Sequence, residues 1–356
     1  MVRTIPLQLD ARRRDLPSEP EPARDRLQRP LHDLRISVIE TCNFRCPYCM
    51  PEDRFPHDEL GDSASRLSFD EIERAARAFV RVGVRKLRLT GGEPLLRRGL
   101  PELVERLARI DGVEDLALTT NGSLLARHAA GLHAAGLKRL TVSLDTLDPQ
   151  RFRQLSGGRG EVAAVLQGID AATAAGFDAI KINCVVQRNI NEDDVLPLLE
   201  RFRGTAHVVR FIEYMDVGTC NGWREDQVLP SSDLRARIAA RWPLRVLDAG
   251  YRGEVAQRYL YADGGGEIGF VSSVSEPFCG DCHRGRLSAD GQLYTCLFAA
   301  AGHDLRTLLR EGAGEDALVA AIARIWSART DRYSERRHEL REHGANPHVE
   351  MYAIGG

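Results

Sequence analysis

From Leu34 onward the chain alternates short β-rich runs with helical patterns. The runs are LRISVI (34–39), VRKLRLT (84–90), DLALTT (115–120), KRLTVSL (138–144), AIKINCVV (179–186) and HVVRFIE (207–213). Helical periodicity fills 68–82, 99–110, 123–136, 160–175 and 191–203. Six such units in series predict a parallel sheet with right-handed crossovers. Alternation alone does not separate a barrel from an open Rossmann-like sheet, but side-chain parity does. Leu34, Ile36 and Val38 share one face of the first strand while Arg35 and Ser37 share the other. The second sets Leu87 and Leu89 against Lys86, Arg88 and Thr90; the fourth sets Leu140, Val142 and Leu144 against Thr141, Ser143 and Asp145; the fifth puts Lys181 with Asn183. A doubly wound sheet needs apolar residues on both faces. A face this polar and cationic fits the inside of an incomplete six-stranded barrel, open enough to hold an anionic ligand. A solvated outer face is the alternative, but helices cover the outer faces of βα proteins.

After about residue 245 the rhythm changes to hairpin-like pieces, QRYLYADGGGEIGFVSSV and RLSADGQLYTC with an Asp290-Gly291 turn, and two helices near 303–327. The fold class predicted is α/β, a partial (β/α)6 TIM-type barrel with a C-terminal α+β extension. Its divisions are an N-terminal tail (1–30), the barrel (31–245), the extension (246–340) and a tail ending Gly355-Gly356 (341–356). Residues 1–30 carry five prolines, seven arginines and five acids without apolar periodicity, the composition of a disordered segment.

Composition narrows the partners. The 356 residues balance 49 Lys+Arg against 51 Asp+Glu, a net charge of −2, so no broad positive field is available for nucleic acid or an anionic membrane. The start lacks an apolar leader and no stretch reaches the roughly 18 apolar residues of a membrane span. A cytoplasmic protein is expected.

Six of the eight cysteines fall into two groups, Cys42/Cys46/Cys49 and Cys279/Cys282/Cys296, while Cys184 and Cys220 stand apart. A secreted disulfide framework belongs to shorter chains, so thiolate ligands in a reducing compartment are expected. The first group, CNFRCPYC, directly follows strand 1, where βα loops carry active sites. Its C-x3-C-x2-C spacing offers three thiolates and leaves a fourth position open. Structural zinc prefers four closed ligands and catalytic zinc usually takes histidine or carboxylate, so a [4Fe–4S] cluster is the better occupant. The second group, C-x2-C-x13-C, also supplies three thiolates; zinc is its alternative, with Cys220 or His283 as conceivable fourth ligands. Gly91-Gly92-Glu93-Pro94 closes strand 2, and its missing side chains would let the backbone approach a ligand. Arg284 and Arg286 flank Gly285 beside the second group. With Arg35, Arg88 and Lys181 they form a cationic set suited to a triphosphate.

The C-x3-C-x2-C loop resembles that of radical S-adenosylmethionine enzymes, whose fold is a partial (β/α)6 barrel. From about Pro30 to Gly356 the chain resembles the GTP 3′,8-cyclase family of molybdenum cofactor biosynthesis. The motifs are DLRIS (33–37), CNFRCPYCMP (42–51), LTGGEPLLR (89–97), LTTNG (118–122), VSLD (142–145), RFIEYMDVG (210–218), CGDCHRGRLSADG (279–291) and the Gly-Gly end. The resemblance implies two [4Fe–4S] clusters, on Cys42/Cys46/Cys49 and Cys279/Cys282/Cys296. The first would cleave S-adenosylmethionine to methionine and a 5′-deoxyadenosyl radical, with Tyr48, Gly92, Ser143 and Met215 contacting the cofactor. The open iron of the second would meet the guanine of GTP. Arg35, Arg88, Thr119, Lys181, Arg284, Gly285 and Arg286 would bind that substrate, with Arg35, Arg284 and Arg286 assisting chemistry. The radical would take the ribose 3′ hydrogen, and closure on guanine C8 would give 3′,8-cyclo-7,8-dihydro-GTP. The Gly-Gly tail would reach into the site. The resemblance also implies a homodimer, an electron donor and a downstream cyclic pyranopterin monophosphate synthase. Two departures stand out: Glu40-Thr41 where the family has Asp-Arg, and His283 where a small polar residue is expected. The rival readings are a radical enzyme acting on a peptide, which has no need of the inward cations, and a non-catalytic zinc-stabilised binding module.

Overall fold

The computed structural model describes residues 22–52, 64–342 and 348–355. Six strands, β1 (Asp33–Ser37), β2 (Lys86–Thr90), β3 (Asp115–Thr120), β4 (Arg139–Ser143), β5 (Lys181–Val186) and β6 (Val208–Glu213), lie side by side in parallel and in chain order. Between them run α1 (Phe69–Val82), α2 (Leu100–Ala108), α3 (Leu125–Ala134), α4 (Pro149–Leu155), α5 (Val162–Ala174) and α6 (Val195–Phe202). The expected βα units are present, with α4 as an added short helix. Strand parity sets the layers: Leu34, Ile36, Leu87, Leu89, Leu140 and Val142 are buried, while Arg35, Arg88 and Lys181 line a cavity on the concave side. The first helix begins where Ser68 caps it, its hydroxyl accepting from the Glu71 amide at 3.1 Å while the Glu71 carboxylate takes the Ser68 amide at 2.7 Å.

The C-terminal part comprises α7 (Ser231–Arg241), β7 (Leu244–Leu247), β8 (Gln257–Tyr261), β9 (Glu267–Val271), β10 (Arg284–Leu287), β11 (Gln292–Tyr294) and β12 (His303–Asp304). It ends in α8 (Arg306–Arg310), α9 (Glu315–Ser327), α10 (Arg337–Glu342) and α11 (Met351–Ile354). Both expected hairpins form, β8 with β9 and β10 with β11. One strand of each also docks in parallel on an edge of the barrel sheet, β10 on β1 and β9 on β6. The parallel array is thereby widened to eight strands, β10-β1-β2-β3-β4-β5-β6-β9, inside a 12-stranded sheet. Docking satisfies the backbone groups that β1 and β6 would otherwise leave open at an edge.

The N-terminal tail expected over 1–30 needs correction. Residues 1–21 lie outside the described residues, but 22–30 are folded: Asp25 and Arg29 are buried, and the Ala23 amide donates to Val82 O at 2.9 Å. Asp25 and Arg29 are paired in the interior rather than solvated. No helix among the described residues is long and apolar enough to cross a membrane.

Candidate functional site

The loop after β1 turns back on itself, Cys46 O accepting the amides of Cys49 (3.0 Å) and Met50 (2.9 Å). That turn gathers Cys42, Cys46 and Cys49 at the carboxyl end of the sheet. The Phe44 amide donates to Cys42 Sγ at 3.4 Å and Asn121 Nδ2 approaches it at 3.9 Å. The loop after β2 holds this one closely: Gly92 N donates to Ile39 O and Glu93 N to Thr41 O, both at 2.8 Å. A Cβ on Gly91 would lie 2.2 Å from Ile39 O and one on Gly92 2.3 Å from Thr41 O. The glycines are therefore required by contact with the neighbouring loop, a role the sequence did not announce.

The surroundings of the first group are acidic. Glu93 is fully buried, accepting from Thr120 Oγ1 (2.7 Å), Asn121 N (2.7 Å) and Leu95 N (3.0 Å). Burial pushes its carboxyl up to about 7 against those donors. Asp145 accepts from Tyr48 Oη (2.7 Å) and Val185 N (2.8 Å), and burial raises it to about 6. Burial, then Glu93, pushes the Cys42 thiol up to about 11. Cys46 and Cys49 are raised by burial and by the neighbouring thiols. Glu40 keeps a cationic partner despite Thr41, since Arg66 donates to both its oxygens, at 3.0 and 2.5 Å. Cys184 is a packed thiol, 1 % exposed, its Sγ 3.6 Å from Asp145 O.

The second group has a cationic setting at Cys282. Cys279 opens a short turn, Cys282 precedes β10, and Cys296 follows β11. Arg284 Nη2 donates to Cys282 Sγ at 3.6 Å and Phe298 N to Cys296 Sγ at 3.5 Å. Burial would raise Cys282, but Arg284, Arg329 and Arg286 outweigh it and bring the thiol down to about 5. Cys296 is pushed up to about 11 by burial and by Asp331.

Both trios fit an iron–sulfur cluster. Among the described residues, only His32, Asp33 and His283 bring three His, Cys or carboxylate ligand atoms within 4.8 Å of one another. Neither cysteine trio closes that far, whereas sulfurs on tetrahedral zinc at about 2.3 Å would stand about 3.8 Å apart. All-thiol donor sets with N–H groups aimed at sulfur suit a larger iron–sulfur core. At the second trio, buried Arg284 Nε and Arg286 Nε and Nη1 have no hydrogen-bond partner among the described residues, which leaves unspent donors facing where an anionic group would sit.

Against the second trio lies a cavity of about 210 Å³. Strand register builds its wall: Arg35 stands opposite Arg286 on one side and Arg88 on the other, and Asn183 opposite Arg210. Cys279, Cys282 and Cys296 line one end, and Met215 and Thr119 also face it. Arg88 Nη1 donates to Thr119 Oγ1 (3.0 Å) and Thr141 Oγ1 (3.1 Å), and Arg210 holds Asn183 Oδ1 through Nη2 (2.7 Å) and Nε (3.0 Å). Arg139 is committed to Asp115 and Arg258 to Glu267. Among the described residues, Arg35, Arg88, Lys181, Arg210, Arg284 and Arg286 make no ion pair. Burial and mutual repulsion bring Lys181 down to about 7 and Arg210 to about 9, and pull Arg35 well below its usual range.

Two site expectations change in detail. Gly285 is buried on the opposite face of β10, where a Cβ would stand 3.1 Å from Leu31 Cδ1 and 3.7 Å from Leu34 Cδ1, so only its backbone is available to a ligand. Ser143 ends β4, half-buried, outside the cavity lining. Arg139, Arg210 and Glu93 are additions to the residues expected from sequence. Arg139 shares parity with Thr141, and Arg210 alternates with the buried Val209 and Phe211, so the same parity rule reaches both. The C-terminal tail does enter the barrel: Arg35 Nη1 donates to Gly355 O at 3.2 Å, and Gly355, at φ 67°, lies against Thr90 where a Cβ would be 2.1 Å away.

Known proteins share both halves of this arrangement. The Radical SAM superfamily matches residues 36–202 and the Molybdenum Cofactor Synthesis C family residues 207–335. The chain is 64 % identical over 335 residues to the GTP 3′,8-cyclase of Xanthomonas campestris pv. campestris strain B100, covering 94 % of this chain and 98 % of that protein. It is 54 % identical to that of Acidothermus cellulolyticus (89 % of each) and 41 % to that of Staphylococcus epidermidis strain RP62A (94 % and 99 %). In fold it is similar to Streptococcus suis SuiB bound to precursor peptide SuiA, with a TM-score of 0.59 at 14 % identity over 90 % of this chain and 75 % of that one.

Proposed function

The chain belongs to the GTP 3′,8-cyclase family of radical S-adenosylmethionine enzymes, and from that premise we propose that it converts GTP to 3′,8-cyclo-7,8-dihydro-GTP, the first step of molybdenum cofactor biosynthesis. Cys42, Cys46 and Cys49 would hold one [4Fe–4S] cluster and Cys279, Cys282 and Cys296 the other. When bound, the first cluster and S-adenosylmethionine supply an electron and a hydrogen-abstracting carbon radical. The observation that carries the substrate is the row Arg286–Arg35–Arg88, unpaired with carboxylates and ending at the second cysteine group. With Lys181 and Arg210 it offers fixed donors to a polyanion, and bidentate Arg suits phosphate oxygens. Arg284, beside Cys282, and Arg286 bring charge to the end where the base would lie. Thr119 steadies Arg88 rather than standing free.

The reaction removes one hydrogen atom from the ribose 3′ carbon, joins that carbon to guanine C8, and adds one electron and one proton to complete the dihydro ring. The chain's part is to hold the ribose toward the first site, exclude water and oxygen, and place Arg35, Arg284 and Arg286 where charge collects. Tyr48, Gly92, Ser143 and Met215 are the proposed contacts of S-adenosylmethionine. Tyr48 is already positioned by Asp145, and Met215 faces the cavity. We further propose cytoplasmic residence, a homodimer, an external electron donor and hand-over of product to a cyclic pyranopterin monophosphate synthase. Anaerobic calorimetry with GTP and GMP tests the substrate assignment. Binding of GTP at least about 100-fold tighter than GMP, lost in Arg210→Ala, supports it. Equal affinities would transfer the cavity to another ligand.

A further inference from the structure

The segment 25–29 touches neither the proposed cofactor site nor the cationic wall, yet it reaches the second cysteine group. Arg29, 1 % exposed, donates through Nε to Asp25 Oδ2 at 2.6 Å and through Nη1 to Cys279 O at 2.7 Å and Asp331 O at 2.8 Å. Arg329, also buried, donates through Nη1 to Cys282 O at 2.7 Å and Asp25 Oδ2 at 3.3 Å, and through Nε to Asp331 Oδ2 at 3.2 Å. That same Asp331 oxygen accepts from the hydroxyl of Thr295, the residue before Cys296, at 2.6 Å. Each of the three cysteines is thus tied, by its own carbonyl or by its neighbour's side chain, to one frame of two arginines and two aspartates, of which Arg29, Arg329 and Asp25 are buried and Asp331 is partly exposed. Trp326 closes the frame, its indole N–H donating to Arg29 O at 3.0 Å and its ring lying 4.5 Å from the Arg329 guanidinium.

We infer that Asp25, Arg29, Arg329 and Asp331 form a positioning frame for the second metal centre, setting the spread of its three thiolates and its reduction potential. The inference rests on the reading that Cys279, Cys282 and Cys296 hold a [4Fe–4S] cluster. Its physical basis is that Cys279 and Cys282 share one short turn, the Cys282 amide donating to Cys279 O at 3.2 Å, while Cys296 comes from the far end of β11, so the distance between that turn and Cys296 is set by what holds the two together. A cysteine whose carbonyl is engaged in this way has its backbone fixed, and two immobile guanidiniums stand nearer the second centre than the first. Outer-shell partners of this kind tune metal sites strongly, typically by about 10- to 100-fold in affinity. The first group is spaced by a single loop, with one buried arginine in it, Arg45, donating through Nη1 to Cys42 O at 2.6 Å.

The test is anaerobic reconstitution of the full chain followed by iron counting, EPR redox titration of each cluster, and S-adenosylmethionine cleavage without nucleotide. Wild type should hold about eight irons. Arg29→Ala should retain about four, with the first cluster's EPR signal and cofactor cleavage intact. Thr295→Val, a near-isosteric change that removes one hydrogen bond, should keep all eight irons. It should shift the second cluster's reduction equilibrium at least about tenfold, roughly 59 mV for one electron, and leave the first unmoved. Should Arg29→Ala fail to fold, the Thr295→Val titration decides alone. Unchanged potential in Thr295→Val together with full iron in Arg29→Ala, or an equal shift at both clusters, overturns the frame. Four irons in wild type would overturn the underlying reading and the frame with it, a result distinguishable from failure of the frame alone.

Discussion

Two sites in this molecule offer the same three thiols and opposite electrostatics. Around Cys42, Cys46 and Cys49 stand the buried carboxyl of Glu93 and the half-buried one of Asp145, and every thiol is pushed up. Around Cys282 stand Arg284, Arg286 and Arg329, and that thiol is brought down to about 5. A carboxylate-rich pocket suits a cation such as a sulfonium with its ammonium group, while a guanidinium-rich one suits phosphate and a more readily reduced centre. Ligand count is thus no guide to what the two centres do. On the function proposed, the charges around them would divide the labour between generating a radical and holding the molecule it attacks.

The widest separation of the two sites comes from removing one ligand of each. Cys46→Ala should abolish deoxyadenosine formation, whereas Cys282→Ala should still cleave S-adenosylmethionine and yield no cyclised nucleotide, both read by chromatography of quenched anaerobic reactions. Deleting Gly355 and Gly356 should likewise abolish turnover with both clusters retained, because Arg35, which lines the cavity, is tied to Gly355 O. Cyclisation surviving that deletion would leave the tail without a role in turnover. Next in size, Arg286→Ala should lower cyclisation about 10²–10³-fold, the usual cost of one preorganised donor, with deoxyadenosine production in the absence of GTP unchanged. A matching loss in both activities would mean that Arg286 serves general stability.

The smallest effect is in pH. Lys181 titrates near 7 in the folded chain against an ordinary value of 10.5, so between those values the unfolded chain holds a proton the folded one lacks. Stability of the nucleotide-free protein therefore rises with pH across that window. Triphosphate binding restores the charge and takes up a proton, so GTP affinity should fall by up to about tenfold per unit above pH 7. Lys181→Met should flatten that slope in calorimetry, and an unaltered slope would place the titration elsewhere.

Much of this architecture is legible in the order of the amino acids alone. Strand parity identifies the cationic wall, since a period of two leaves Arg35 and Arg88 no face but the concave one. The cysteine spacings point to both proposed centres. The docking of β9 and β10 onto the barrel edges is not legible, because a hairpin's turn residues specify its antiparallel partner and say nothing of the strand on its other side. The segment 22–30 misleads for a related reason. Its composition is that of a solvated tail, but Asp25 and Arg29 neutralise each other in the interior, and pairing across 304 residues to Arg329 leaves no local trace. The close fit of Gly91 and Gly92 to the loop at 39–41 is another long-range contact that local sequence cannot announce.

If the two sites work as one, a radical made at the acidic end acts on a nucleotide held at the basic end. Reduced anaerobic protein, given S-adenosylmethionine and GTP deuterated at the ribose 3′ carbon, reports this in the mass of its 5′-deoxyadenosine. Deuterium in that product, with one equivalent per cyclised nucleotide, is the result expected. Unlabelled deoxyadenosine accumulating beside intact GTP would contradict it.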